Sequence, residues 1–161
     1  MVALNTLGIE KKEPGKLAPG WGLAHLFLGA MMVILGVTAF ITNAMGDAAV
    51  SGYTGIALTY YGFFWIFLGS TLLRALDLRP IAQISIPYAI VDLWFIAGSI
   101  QLKLTSLTIL LVVLTVVFIF LWPATHGRAL FLKVNAYLLI ILAALGFYLA
   151  FGLIFPTYPL A

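Results

Sequence analysis

Five long apolar runs, joined by links too short to hold a domain, constrain this chain more than any other feature. They cover approximately Gly22–Ala44, Thr54–Leu73, Ile81–Ile100, Leu104–Trp122 and Ala129–Phe155. A helix needs roughly 20 apolar residues to cross about 30 Å of hydrocarbon, and each run meets that length. A helix also satisfies its backbone polar groups internally, which a single segment must do to sit in lipid. The expected fold class is therefore all-α: a polytopic membrane helix bundle of five transmembrane helices. The bundle spans residues 21–155, after an N-terminal tail of residues 1–20 and before a short C-terminal tail of residues 156–161.

Composition points the same way. The chain is 64% hydrophobic and 8% charged, against about 25% charged in an ordinary soluble domain. So few charges cannot cover a water-facing surface, and the surrounding solvent is read as lipid. The chain has no cysteine, which removes disulfides, thiolate metal sites, iron–sulfur clusters and cysteine nucleophiles together. His25 and His126 are its only histidines. There is no Ser/His/Asp arrangement, no carboxylate pair on one helix, no His-x-x-x-His and no Gly-rich phosphate loop. The expectation is a chain that is not an enzyme by itself and that has no catalytic residue, metal or cofactor.

The formal charge of +3 reads as orientation in a membrane protein, not as an affinity for nucleic acid. Lys11, Lys12 and Lys16 lie in the N-terminal tail, Arg74 and Arg79 flank the second link, and Arg128 lies in the fourth, with Lys133 just beyond. The first link and the C-terminus carry no Lys or Arg, and the third link carries only Lys103. This bias places the N-terminus in the cytoplasm and the C-terminus outside, in a multi-pass protein of the cell membrane.

Small residues mark helix contacts in lipid, where apolar surface gives little drive for association. Gly22, Gly29 and Gly36 on the first helix, Gly55, Gly62 and Gly69 on the second, and Ala129, Ala136, Ala143 and Ala150 on the fifth each recur every seven residues. A seven-residue period keeps one stripe facing a partner in a left-handed bundle. Helices one, two and five are thus expected to form the tight centre. Helix four has no Gly or Ala over Leu104–Trp122, so it is expected to be the most lipid-exposed helix or a face for another subunit.

Asp92 is the most informative polar residue. It falls near the middle of helix three, where an ionised carboxylate costs about 2.5–3.5 kcal/mol on insertion scales. Ser85, Tyr88, Asp92 and Ser99 share one helical face. Partners considered for Asp92 are Lys133, which can equally snorkel to the interface, and Asn135 or Tyr137. Phe27, Tyr88, Asp92, Asn135 and Tyr137 are together candidates for either an interhelical polar contact or a solute path.

Leu17-Ala18-Pro19 followed by Gly22-Leu23, Tyr60-Tyr61-Gly62 with Gly69 beyond, and Thr125-His126-Gly127-Arg128 make the chain similar to the acetate uptake transporter family, the YaaH-type succinate–acetate permeases. The resemblance is diffuse and runs from the first helix to the fifth. It implies six-helix protomers that assemble into rings and pass small carboxylates. It would put the aromatic and apolar constriction at Leu26 or Phe27, Tyr88 and roughly Tyr137. The chain departs from that pattern in lacking the Asn-Pro of the entry motif. It also carries Phe63-Phe64-Trp65 where the family has a glutamine in helix two, and it has five runs where the family has six.

Two readings follow. In the first, the chain is a non-catalytic accessory or structural subunit of a larger membrane complex, energy-transducing or oxidoreductase in kind. Its partners are lipid and other integral membrane subunits, in a hetero-complex or homo-oligomer. In the second, it is a channel or permease for acetate-like monocarboxylates.

Overall fold

The computed structural model describes the backbone of residues 14–154 and the side chains of residues 20–148. Expectations for residues 1–13 and 156–161, and for the side chains of Lys16 and Ala150, lie outside the described residues. Among the described residues there are five helices and no strand: α1 (Pro14–Thr42), α2 (Ala48–Leu73), α3 (Arg79–Gln101), α4 (Thr105–Thr125) and α5 (Ala129–Ile154). All five are long and apolar enough to cross a membrane. The chain is an all-α integral membrane protein.

The helices extend past the hydropathy limits for local reasons. α1 reaches back to Pro14, into the segment read as tail. α2 begins at Ala48 instead of Thr54 because Asp47 caps it. Asp47 has extended backbone angles, and its side chain accepts a hydrogen bond from the Val50 N–H at 2.9 Å. Such a cap satisfies a donor that the first turn would otherwise leave orphaned. The Met45 N–H donates to Ser51 Oγ at 3.0 Å, which ties the loop to a buried serine at the start of α2. α4 runs through Pro123 to Thr125, and Pro87 lies inside α3 without ending it.

The first four helices end the same way. Asn43, Ala75, Lys103 and Gly127 follow α1 to α4 with φ of 51°, 51°, 58° and 84°. Each residue after them returns its N–H to a carbonyl in the last turn: Ala44 to Ala39, Leu76 to Thr71, Leu104 to Ser99 and Arg128 to Pro123. A left-handed residue with this backward bond is the Schellman stop, which satisfies carbonyls the helix end leaves free.

The described residues fall into two compact units, 14–81 and 82–154. The first is the α1–α2 hairpin with the start of α3. The second holds the rest of α3 with α4 and α5. In this second unit the expectation for helix four is corrected. Leu111 and Phe118 of α4 are essentially fully buried, with Leu114, Thr115 and Val117 close behind. α4 has no small residues, yet α3 contacts one side of it and α5 another, so its branched and aromatic side chains fill a core.

Candidate functional site: two interhelical seams

The α1–α2 seam is built from backbone. The six glycines pair in antiparallel register, Gly22 with Gly69, Gly29 with Gly62 and Gly36 with Gly55. A Cβ added at Gly29 would lie 2.6 Å from the Gly62 carbonyl oxygen, and one added at Gly62 would lie 2.8 Å from the Gly29 carbonyl oxygen. The other two pairs are as close: 2.6 Å in both directions for Gly36 and Gly55, and 2.7 Å in both directions for Gly22 and Gly69. These neighbours are main-chain atoms, which cannot rotate away. The seven-residue period brings each glycine round to the same seam, so the two backbones touch at three levels. Beside the seam, Thr59 Oγ1 donates to the Gly55 carbonyl at 2.8 Å.

The α3–α4 seam is built from side chains. Ser85 Oγ lies 2.8 Å from the Phe118 carbonyl and 2.7 Å from that of Ala82. Thr115 Oγ1 donates to Asp92 Oδ2 at 3.2 Å and also lies 2.9 Å from the Leu111 carbonyl. Ser99 Oγ and Thr108 Oγ1 share a hydrogen bond at 2.7 Å. Ser85, Asp92 and Ser99 are each completely buried. They too recur every seven residues, so this seam is a ladder of three polar rungs. Tyr88 stands half-buried beside it, its ring centroid 5.6 Å from that of Phe118.

Asp92 thus takes a partner that the sequence reading did not name, Thr115 of α4. Lys133 is exposed. Phe27 and Tyr137, candidates for a constriction, are 69% and 58% exposed and turn outward. Of the five candidate residues, Asp92 and Asn135 are buried, Tyr88 is half-buried, and Phe27 and Tyr137 are exposed.

The alanine series of α5 is corrected as well. Ala136 is buried, but Ala129 and Ala143 are exposed. The helix packs on α4 through larger side chains, with Phe131 edge-on to Phe120 at 5.2 Å between centroids. Asn135, 4% exposed, has a buried Oδ1 with no hydrogen-bond partner among the described residues.

The histidines share one local geometry. His25 Nδ1 lies 2.7 Å from the Trp21 carbonyl, and His126 Nδ1 lies 2.7 Å from the Trp122 carbonyl. A carbonyl can only accept, so Nδ1 carries a proton in both. His25 packs against Trp65 with centroids 5.3 Å apart, and His126 stacks on Trp122 at 4.5 Å. Among the described residues no group of three or more His, Cys, Asp or Glu could hold a metal ion.

The residues that sequence reasoning missed are Thr108 and Thr115. Their signal was present: they too are seven apart, on the helix that follows the Ser85–Asp92–Ser99 stripe, in a run otherwise almost purely aliphatic and aromatic. Comparison with protein families, with characterised proteins and with solved structures gives no match.

Proposed function

We propose that the chain is a non-catalytic structural subunit of a larger complex in the cell membrane, a relative of the acetate uptake transporter family that has kept helical packing and given up transport. It sits with its N-terminus in the cytoplasm and works by presenting preformed helix pairs to other integral membrane subunits. The observation that carries this reading is the employment of the buried polar groups. Asp92, the one acidic residue deep in a helix among the described residues, is bonded to Thr115 within a three-rung ladder between neighbouring helices. Phe27 and Tyr137, two of the residues suited to a constriction, are exposed, and Tyr88 packs beside the ladder against Phe118. Polar groups spent on holding two helices together are not arranged along a path.

The test has two arms. Chain purified alone and reconstituted in liposomes shows no acetate flux above empty vesicles. The same chain tagged in its native membrane and extracted in mild detergent migrates with larger integral membrane partners. Robust acetate flux from the purified chain overturns this reading and establishes the permease. Orientation is checked separately: a cysteine at Ala48, at the start of α2 just after the link with no Lys or Arg, reacts with an impermeant thiol reagent applied outside.

A further inference from the structure

Thr115 of α4 has one hydroxyl proton and two oxygens within reach of it. The Leu111 carbonyl lies 2.9 Å from Thr115 Oγ1, and Asp92 Oδ2 lies 3.2 Å from it. A carbonyl can only accept a hydrogen bond. An ionised carboxylate can also only accept, so with Asp92 charged the two would compete for a single proton.

Four other threonines show where that proton goes. Thr42, Thr59, Thr71 and Thr108 each donate to the carbonyl four residues back, at 2.8, 2.8, 3.0 and 2.9 Å. This is the bond a threonine hydroxyl makes to its own helix. Thr115 stands at the matching distance from Leu111, and its contact with Asp92 is the longer of the two. Thr108, seven residues before Thr115, makes the same backward bond while sharing a second one with Ser99 of α3 at 2.7 Å. With its own proton committed to the Leu104 carbonyl, Thr108 can only accept from Ser99. The donor across the seam is then the residue on α3.

The place of Asp92 in the span points the same way. Asp92 is completely buried. At 1.5 Å per residue it lies about 14 Å or more from either end of α3. A negative charge is costly at that depth. The cations of the same unit, Lys103, Arg128 and Lys133, are exposed.

We propose that Asp92 is a neutral carboxylic acid whose Oδ2–H donates to Thr115 Oγ1, while Thr115 donates to the Leu111 carbonyl. The bond across the seam thus runs from α3 to α4, the reverse of the direction an ionised carboxylate requires. The 3.2 Å separation accommodates the proton on either oxygen. Both contacts of Thr115 are then full hydrogen bonds. The middle rung takes the same order as the Ser99–Thr108 rung, and the ladder crosses the span without a charge. This inference does not rest on the subunit reading: a permease with the same two helices would hold the same proton.

The experiment is infrared spectroscopy of the full chain in detergent micelles at neutral pH, with aspartate labelled by carbon-13 at the side-chain carboxyl. Asp47, Asp77 and Asp92 are the only aspartates in the chain. The expected result is a label-shifted carbonyl stretch of a hydrogen-bonded carboxylic acid, lost in Asp92→Asn. The band moves to higher frequency in Thr115→Val, because the acid loses its acceptor. It stays in place in Thr115→Ser, which keeps the hydroxyl. The absence of an acid band, or one that persists in Asp92→Asn, overturns the proposal. So does a band that Thr115→Val leaves unmoved in a folded protein. If Thr115→Val does not fold, the unsubstituted chain decides: a band at the frequency of a free acid contradicts the proposal, and one at that of a hydrogen-bonded acid supports it.

Discussion

The α1–α2 and α3–α4 pairs solve one problem by opposite means. Both are antiparallel helix pairs joined by a short turn, and both repeat their contacts every seven residues. In α1–α2 the repeated element is the absence of a side chain, so carbonyl oxygens of one helix stand where a Cβ of the other would be. In α3–α4 the repeated element is a hydroxyl or carboxyl group that bonds across the gap. Lipid gives apolar surfaces no reason to leave it, so association must come from close packing or from polar bonds. The first pair relies on shape and tolerates no added volume. The second relies on bonding and tolerates volume better than it tolerates the loss of a donor or acceptor.

The comparison breaks most readily at the glycines. Gly62→Leu should prevent α1 and α2 from closing, at a cost of about 3 kcal/mol or more, read as loss of folded protein in detergent. The added Cβ alone would fall 2.7 Å from Val33 Cγ2 and 2.8 Å from the Gly29 carbonyl oxygen. Asp92→Leu should cost less, about 0.6–1.7 kcal/mol, the range measured for interhelical hydrogen bonds in a membrane protein. Asp92→Asn keeps an acceptor for Thr115 and should stay within about 0.5 kcal/mol of the unsubstituted chain by the same scale. Both are read by denaturant titration of the reconstituted protein. The smallest effect has the opposite sign. Ala75 follows α2 at φ 51°, a region that costs an L-residue about 1–2 kcal/mol. Ala75→Gly should relieve that strain, offset in part by the greater freedom of glycine in the unfolded chain. The net gain should be about 0.5 kcal/mol.

The helices were legible because lipid imposes a length and a composition that a sequence displays directly. Their starts were less so. Asp47 reads as an ordinary loop aspartate until its bond to the Val50 N–H is seen, and that cap moves the start of α2 to Ala48. The glycine period was legible as a stripe on each of two helices, but the pairing of particular glycines needed the register that the turn supplies. The alanine period on α5 looked like the same signal and is not. A methyl group marks a tolerated contact, whereas a bare Cα marks a required one, and Ala143 lies exposed while Ala136 is buried. Helix four was misjudged because the absence of small residues was taken to mean the absence of neighbours. Phe118 and Leu111 show that large side chains also fill an interior. The partner of Asp92 was sought among lysine, asparagine and tyrosine, and the threonine that bonds it is a weaker signal in an aliphatic run.

The central claim is that shape holds one pair and bonding holds the other. Two substitution series measured side by side test it most directly: Gly62 to Ala, Ser, Val and Leu, and Asp92 to Asn, Thr, Ala and Leu, each followed by unfolding in micelles. The account predicts that stability at position 62 falls with side-chain volume, with Ser and Ala alike despite their difference in polarity. It predicts that stability at position 92 follows hydrogen-bonding capacity, with Asn and Thr above Ala and Leu whatever their volume. The same dependence at both positions, on volume or on polarity, would contradict it.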